Sequence, residues 1–309
     1  MFGTAKHKAA SGHLGQTSMD AGQQPRSAKH WLENAGLRAV IGLAFLLPYG
    51  MRVWFFGMIM RRLIAPLAGY RKRTIDNLTL IWPDMQAAEK LRLANRVSDN
   101  AGRSLIENYS TKNFTARMTK IDPTGPGVDA LFAARAKGQA VILVSGHFGN
   151  YEAARASLVA RGFAVGGLYR PARNSYFNDH YVRTMEAFGG PIFAQGPRGT
   201  AGFVRHLRTG GQLVLLFDQD VRGADSFMFM GRPARTAISA AALALRYDAV
   251  LLPFYATRQA DGLTFVIDIE APIPASDAVT MTQAMTSSLE ARVNATPEQW
   301  FWIHKRWKK

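Results

Sequence analysis

Residues 140–162, AVILVSGHFGNYEAARASLVARG, decide how the chain is read. The run 140–145 is apolar without alternation, as a strand covered on both faces requires. Gly146 and Gly149 then break the run, and helical character resumes near Asn150. Strand, glycine turn and helix in that order place His147 at the carboxyl edge of a sheet, where open α/β folds hold their ligands. On one continuous helix His147 and Glu152 would point about 140° apart. They meet only if His147 lies in the turn and Glu152 in the first turn of the helix. The carboxylate would then orient the imidazole, and the ring's other nitrogen could take a proton from a hydroxyl. A histidine held for structural reasons is the plainer alternative.

Further β-rich runs lie at 164–169, 213–218, 249–255 and 264–270, mostly separated by helical segments. This predicts an α/β fold, a single domain whose mostly parallel central sheet is flanked by helices. Residues 86–110 carry apolar side chains at helical spacing and should form an amphipathic helix on that domain. Upstream, residues 39–60 hold Arg52 as their only charge and are long enough for an apolar membrane-associating helix, though Pro48 and Gly50 interrupt it. The cations Arg61, Arg62 and Arg71–Arg73 downstream would put the rest of the chain on the cytoplasmic side. The expected divisions are a disordered tail over 1–34, a membrane-associating segment over 35–69 and a catalytic domain over 70–309. The early residues lack the apolar core and cleavage site of a secretory signal.

Composition narrows the chemistry. The 309 residues contain no cysteine, which excludes disulfides, thiolate metal sites and cysteine nucleophiles. Apolar residues make up 48% and charged residues 19%, the balance of a folded chain. A formal charge of +16 attracts polyanions: nucleic acid, anionic lipid or an acidic carrier protein. There is no Gly-x-Gly-x-x-Gly, Walker A, Gly-x-Ser-x-Gly or His-Glu-x-x-His pattern, so no cofactor or metal is demanded.

Three more clusters fall near strand ends. Arg170 and Arg173 follow the run 164–169 and could hold a phosphate or steady an oxyanion, or be ordinary loop arginines. Asp218, Gln219 and Asp220 follow the run 213–218; the paired carboxylates could bind magnesium or act as acid and base, and the plainer reading is that they orient neighbouring arginines or cap a helix. The segment 227–237, FMFMGRPARTA, suits an apolar wall beside the active edge or a core strand. The terminus mixes Trp300, Trp302 and Trp307 with Lys305, Arg306 and Lys308, a composition suited to a membrane interface or to stacking on nucleic-acid bases.

Taken together, RKRTIDNLTLIWP at 71–83, HFGNYE at 147–152, YRP at 169–171, DQD at 218–220, GRPARTA at 231–237 and HKRWK at 304–308 resemble the bacterial lipid A biosynthesis acyltransferases, within the lysophospholipid acyltransferase superfamily. The resemblance runs over roughly residues 35–309. It implies transfer of a fatty acyl chain from acyl carrier protein to a hydroxyl of a lipid A precursor at the inner membrane, the catalytic domain facing the cytoplasm. In that scheme His147 is the general base oriented by Glu152. Arg170 positions substrate, Arg173 and Arg183 are further substrate-binding arginines, and Asp218 is a substrate-binding acid. No cofactor, metal or nucleic acid enters. The alternatives are acylation of another glycolipid or a lysophospholipid and, outside enzymes, a basic protein binding nucleic acid or anionic membrane.

Overall fold

The computed structural model describes residues 27–308. Twelve α-helices and nine strands are assigned within them, together with a π turn at Met60–Ile64. In chain order these are α1 (Ala28–Ala44), α2 (Tyr49–Ile59), α3 (Ala65–Leu67), α4 (Tyr70–Ile81), α5 (Ala87–Tyr109), α6 (Thr111–Met118) and β1 (Pro123–Thr124). Then come α7 (Val128–Ala136), β2 (Val141–Ser145), α8 (Tyr151–Ala160), β3 (Val165–Tyr169), α9 (Ser175–Glu186), β4 (Ile192–Ala194), α10 (Pro197–Arg208) and β5 (Gln212–Leu216). The last elements are β6 (Ser226–Phe229), β7 (Arg232–Arg235), α11 (Ser239–Arg246), β8 (Val250–Arg258), β9 (Phe265–Ile269) and α12 (Ala278–Ala295).

Seven strands form one sheet in the order β1-β9-β8-β2-β5-β3-β4. Strands β8, β2, β5, β3 and β4 pair in parallel, whereas β9 turns back antiparallel to β8 and carries β1 with it, so the sheet is mixed. A short antiparallel return was open to β9 because only six residues separate it from β8, too few for a crossover helix. β2 lies between β8 and β5 and is buried at every position, which accounts for its unbroken apolar run. Side chains alternate between the two covering layers: Ile142 and Val144 join one apolar cluster, Val141 and Leu143 the other. The segment 227–237 forms the separate β6–β7 hairpin. Met230 and Gly231 take positive φ at its tip, with Phe227 and Phe229 buried and Met228 exposed.

The apolar run at 39–60 does not form the expected membrane-associating helix. It is shared between α1 and α2, which part at Pro48, a residue that has no N–H to donate and disfavours helix in the residue before it. No helix among the described residues is long and apolar enough to cross a membrane. The expected placement at the inner membrane with a cytoplasm-facing domain drew on that segment, and no described helix supplies the span it needed. Arg52 is buried against protein: it donates to Asn113 at 3.1 Å and lies over the Phe45 ring. The crossing of α2 over α5 is close because both helices present glycine. A Cβ on Gly102 would sit 2.5 Å from the Phe56 carbonyl oxygen. Helix α1 begins at Ala28, inside the expected tail; the rest of that tail, residues 1–26, lies outside the described residues.

Candidate active site

Strand register builds the site. β2 and β5 pair in parallel with Ser145 opposite Leu216. His147 and Asp218 each follow their strand's last residue by two, so parallel pairing brings them side by side at the carboxyl edge. His147 is fixed by two hydrogen bonds to Asp218: the ring Nδ1 lies 2.7 Å from Oδ1, and the backbone N–H donates to Oδ2 at 2.8 Å. Trp300 Nε1 donates to the same Oδ2 at 2.9 Å. Asp218 is wholly buried. Burial alone would raise its pKa, but the His147 charge and hydrogen bonds outweigh it and hold the carboxyl well below the usual carboxylate range. An ionised carboxylate on Nδ1 keeps the proton on that nitrogen and leaves Nε2 as the basic one.

Backbone geometry holds the loop in place. Gly149 has φ 55, and a side chain there would strike the Ala256 carbonyl. Asn150 caps α8, accepting from the Glu152 N–H at 3.2 Å, and donates to the buried Glu107, which is itself paired with Arg258. From the other side the C-terminal segment folds over: the Phe301 N–H donates to the His147 carbonyl at 2.9 Å, and the His304 ring stands edge-on at 4.6 Å between centroids. Burial pushes the His304 pKa down to about 4, against the pull of Asp218, with His147 and Arg306 adding to the fall.

No hydrogen bond joins Glu152 to His147 among the described residues. The Glu152 carboxylate pairs with Arg155 at 3.0 Å, one turn along α8, and Arg155 is further tied to the carbonyls of Val165 and Met185. The i, i+3 partner on its own helix is within easier reach than a ring in the preceding loop, where Asp218 already holds the imidazole. Glu152 and His147 nevertheless line one cavity of about 310 Å³, shared with Tyr151, Arg155, Arg170 and Gln219. A second cavity of about 190 Å³ also has His147 and Tyr151 in its lining, with Val97, Ala101 and Leu105 of α5 and Phe301. His147 is thus shared by the linings of both cavities.

The remaining expected residues divide. Arg170 is exposed and lines the larger cavity; Arg173 and Arg183 are exposed and line neither. Asp218 faces His147 and Trp300 rather than open space, so it reaches substrate only through the imidazole. Asp220 pairs with Arg235 and Lys308, as the plainer reading of that cluster expected. The terminal tryptophans are not interfacial: Trp300 and Trp302 are buried and pack with Phe229 and Trp307. Trp300 and His304 were missed as members of the centre, because only their ring-and-cation composition is visible in the sequence. For metal chemistry, His147, Asp218 and His304 each present a ligand atom, all within 4.8 Å of one another.

A base held by an ionised carboxylate in the lining of two cavities suits proton transfer from a hydroxyl during group transfer. The comparisons point the same way. Residues 20–309 match the family described as bacterial lipid A biosynthesis acyltransferase. The chain is 24% identical over 295 residues to the lipid A biosynthesis lauroyltransferase of Escherichia coli (strain K12), covering 91% of this chain and 92% of that one. It is 25% identical over 293 residues to the palmitoleoyltransferase of the same organism, with the same coverage. A phosphatidylinositol mannoside acyltransferase of Mycobacterium tuberculosis (strain CDC 1551 / Oshkosh) is 23% identical over 201 residues, 64% of each chain. With the match spanning both the His147 strand and the C-terminal segment that closes over it, the chain belongs to the bacterial lipid A biosynthesis acyltransferase family, of the lysophospholipid acyltransferase superfamily, and is an acyltransferase.

Proposed function

We propose that the protein moves a fatty acyl chain from an acyl carrier protein thioester to a hydroxyl of a lipid A precursor, with His147 as general base and Asp218 as its orienting carboxylate. The hydrogen bond from His147 Nδ1 to the buried Asp218, beside a cavity at the sheet edge, is the observation that carries this reading. Nε2 takes the acceptor's hydroxyl proton as the oxygen attacks the thioester carbon. The imidazolium that forms is stabilised by the Asp218 carboxylate. When the tetrahedral intermediate collapses, the C–S bond breaks and the Nε2 proton passes to the departing sulfur. Arg170 and Gln219 provide N–H donors on the cavity wall for an oxyanion or a phosphate. Glu152 acts through Arg155 to hold the wall between α8 and the carbonyls it touches.

A lipid A precursor is supported as acceptor by the lauroyl and palmitoleoyl transferases, whose alignments cover nine-tenths of the chain. The phosphatidylinositol mannoside enzyme, matched over a shorter stretch, supports another glycolipid as the second reading. Purified protein given acyl carrier protein thioester and each acceptor separates the two. His147→Ala is expected to abolish transfer to the preferred acceptor; transfer that persists in that variant overturns the mechanism.

A further inference from the structure

Away from His147, a cleft of about 670 Å³ runs between the π turn, the start of α4 and the first half of α5. Arg61, Arg62, Arg71, Arg92 and Arg96 line it with Asn95, against one carboxylate, Glu89. Arg92 and Arg96 stand one turn apart on α5, a like-charge spacing that destabilises a helix. Arg61, Arg62 and Arg92 form no ion pair among the described residues, and Arg96 reaches only the Glu298 carboxylate, at 3.9 Å. Arg71 is held in place by donating to the Arg61 carbonyl at 2.9 Å, while its Nε and the Asn95 Oδ1 are buried without hydrogen-bond partners. The backbone is unusual at the same spot: Met60–Ile64 is the π turn, a form common at functional sites. Uncompensated guanidiniums around a cleft are what an anion would relieve.

Helix α5 links the cleft to the catalytic base. Arg92, Asn95 and Arg96 line the cleft, and the following turns, Val97, Ala101 and Ser104, line the cavity that opens on His147. Arg92 and Ser104 are roughly 18 Å apart along the helix.

We propose that the arginine cleft binds a phosphate group of a substrate arm that runs along α5 to His147. The inference rests on His147 as the site of transfer. The chemistry required is a phosphate tethered to the reacting carbon or oxygen, and two substrates can supply it: the donor, through the phosphopantetheine that carries its thioester, or the acceptor, through a phosphorylated sugar.

Steady-state kinetics of the full chain carrying Arg92→Gln and Arg96→Gln test this, varying donor and acceptor separately. Each lost charge-assisted contact weakens binding by roughly tenfold or more, so KM for one substrate rises by at least that factor while the effect on kcat is small. A rise confined to the donor assigns the phosphate to the thioester arm, and one confined to the acceptor assigns it to the glycolipid. Arg92→Lys with Arg96→Lys recovers part of the loss. Lys72→Gln, which removes the charge of an exposed lysine already paired with Asp76, leaves both KM values alone. Two unchanged KM values overturn the proposal, as does an equal rise with Lys72→Gln, which would reduce the cleft to a general positive field. Should the double variant unfold, Arg62→Gln carries the same measurement from an exposed position. His147→Ala tests the catalytic reading independently.

Discussion

At Asp218 three N–H groups converge on one buried carboxylate: the ring and backbone of His147 and the indole of Trp300. Each removes a different degree of freedom from the base. Asp218→Asn keeps the shape but cannot stabilise the imidazolium, and kcat should fall by about 10²–10⁴ in an acyl-transfer assay. Glu152→Gln should act differently. It leaves the imidazole oriented but strips Arg155 of its charge partner in a buried setting, so the main loss is stability, about 3–5 kcal/mol by denaturant titration. If Glu152→Gln instead matched Asp218→Asn in kcat without destabilisation, the assignment of Asp218 as orienting group would be wrong. Trp300→Phe keeps a ring among Phe229, Trp302 and Trp307 while removing a donor to a charged acceptor, a loss of about 1.5–3 kcal/mol measured in the same way. The Glu152–Arg155 pair was legible at i, i+3 spacing; the stronger attraction of the His-x-x-x-x-Glu pattern obscured it.

Among the elements, α5 has the most neighbours of consequence. It packs on α2 through Gly102, borders the arginine cleft at its start and walls the second cavity in its middle. Gly102→Ala should force α2 and α5 apart, since the new Cβ would meet the Phe56 carbonyl and the Met60 Cβ at 2.6 Å. A loss of about 1–3 kcal/mol by thermal or chemical unfolding is expected, and an unchanged midpoint would contradict the close crossing. The helix itself was legible over 86–110 and is found at Ala87–Tyr109, because a regular apolar stripe survives any tertiary setting. The interruption at Pro48 was legible, but that α2 is a separate helix packed on protein was not. The hydropathy of α2 is continuous with α1, and the partner for Arg52 reveals that it packs on protein.

Across the whole molecule, the C-terminal segment ties distant parts of the chain to the catalytic edge. Asn77 of α4 donates to the carbonyls of Trp302 and His304 at 2.7 and 2.8 Å, and Arg306 donates to the Arg235 carbonyl at 2.6 Å. His304 is thereby enclosed, and its Nε2 is buried without a partner. A pH dependence of global stability follows. Unfolded, this histidine takes up a proton near pH 6.5; folded, it resists until about pH 4. The unfolded state binds more protons between those values, so this group lowers stability as pH falls from about 6.5 to 4, by about 3 kcal/mol in all. Asp218, whose folded pKa is lowered, keeps its contribution through that window and loses it only at more acidic pH. Comparing His304→Gln with the parent chain by denaturant titration at pH 7 and pH 4.5 checks this: the parent should lose more stability on acidification, and equal losses would show that the ring is not held neutral.

The buried strands, the amphipathic α5 and the presence of His147 in a glycine turn at a strand end could be read before folding, because periodicity and turn chemistry act over a few residues. The sequence also carried enough ordered motifs to resemble the family that the chain proved to belong to. Which acid lies against the histidine came from the folded chain alone. That choice depends on β5 lying next to β2 with Ser145 opposite Leu216, a pairing between segments 71 residues apart. The folded chain likewise closes Trp300 on Asp218 and divides the run 39–60 into packed helices, since hydropathy records how apolar a segment is and not which surface it meets.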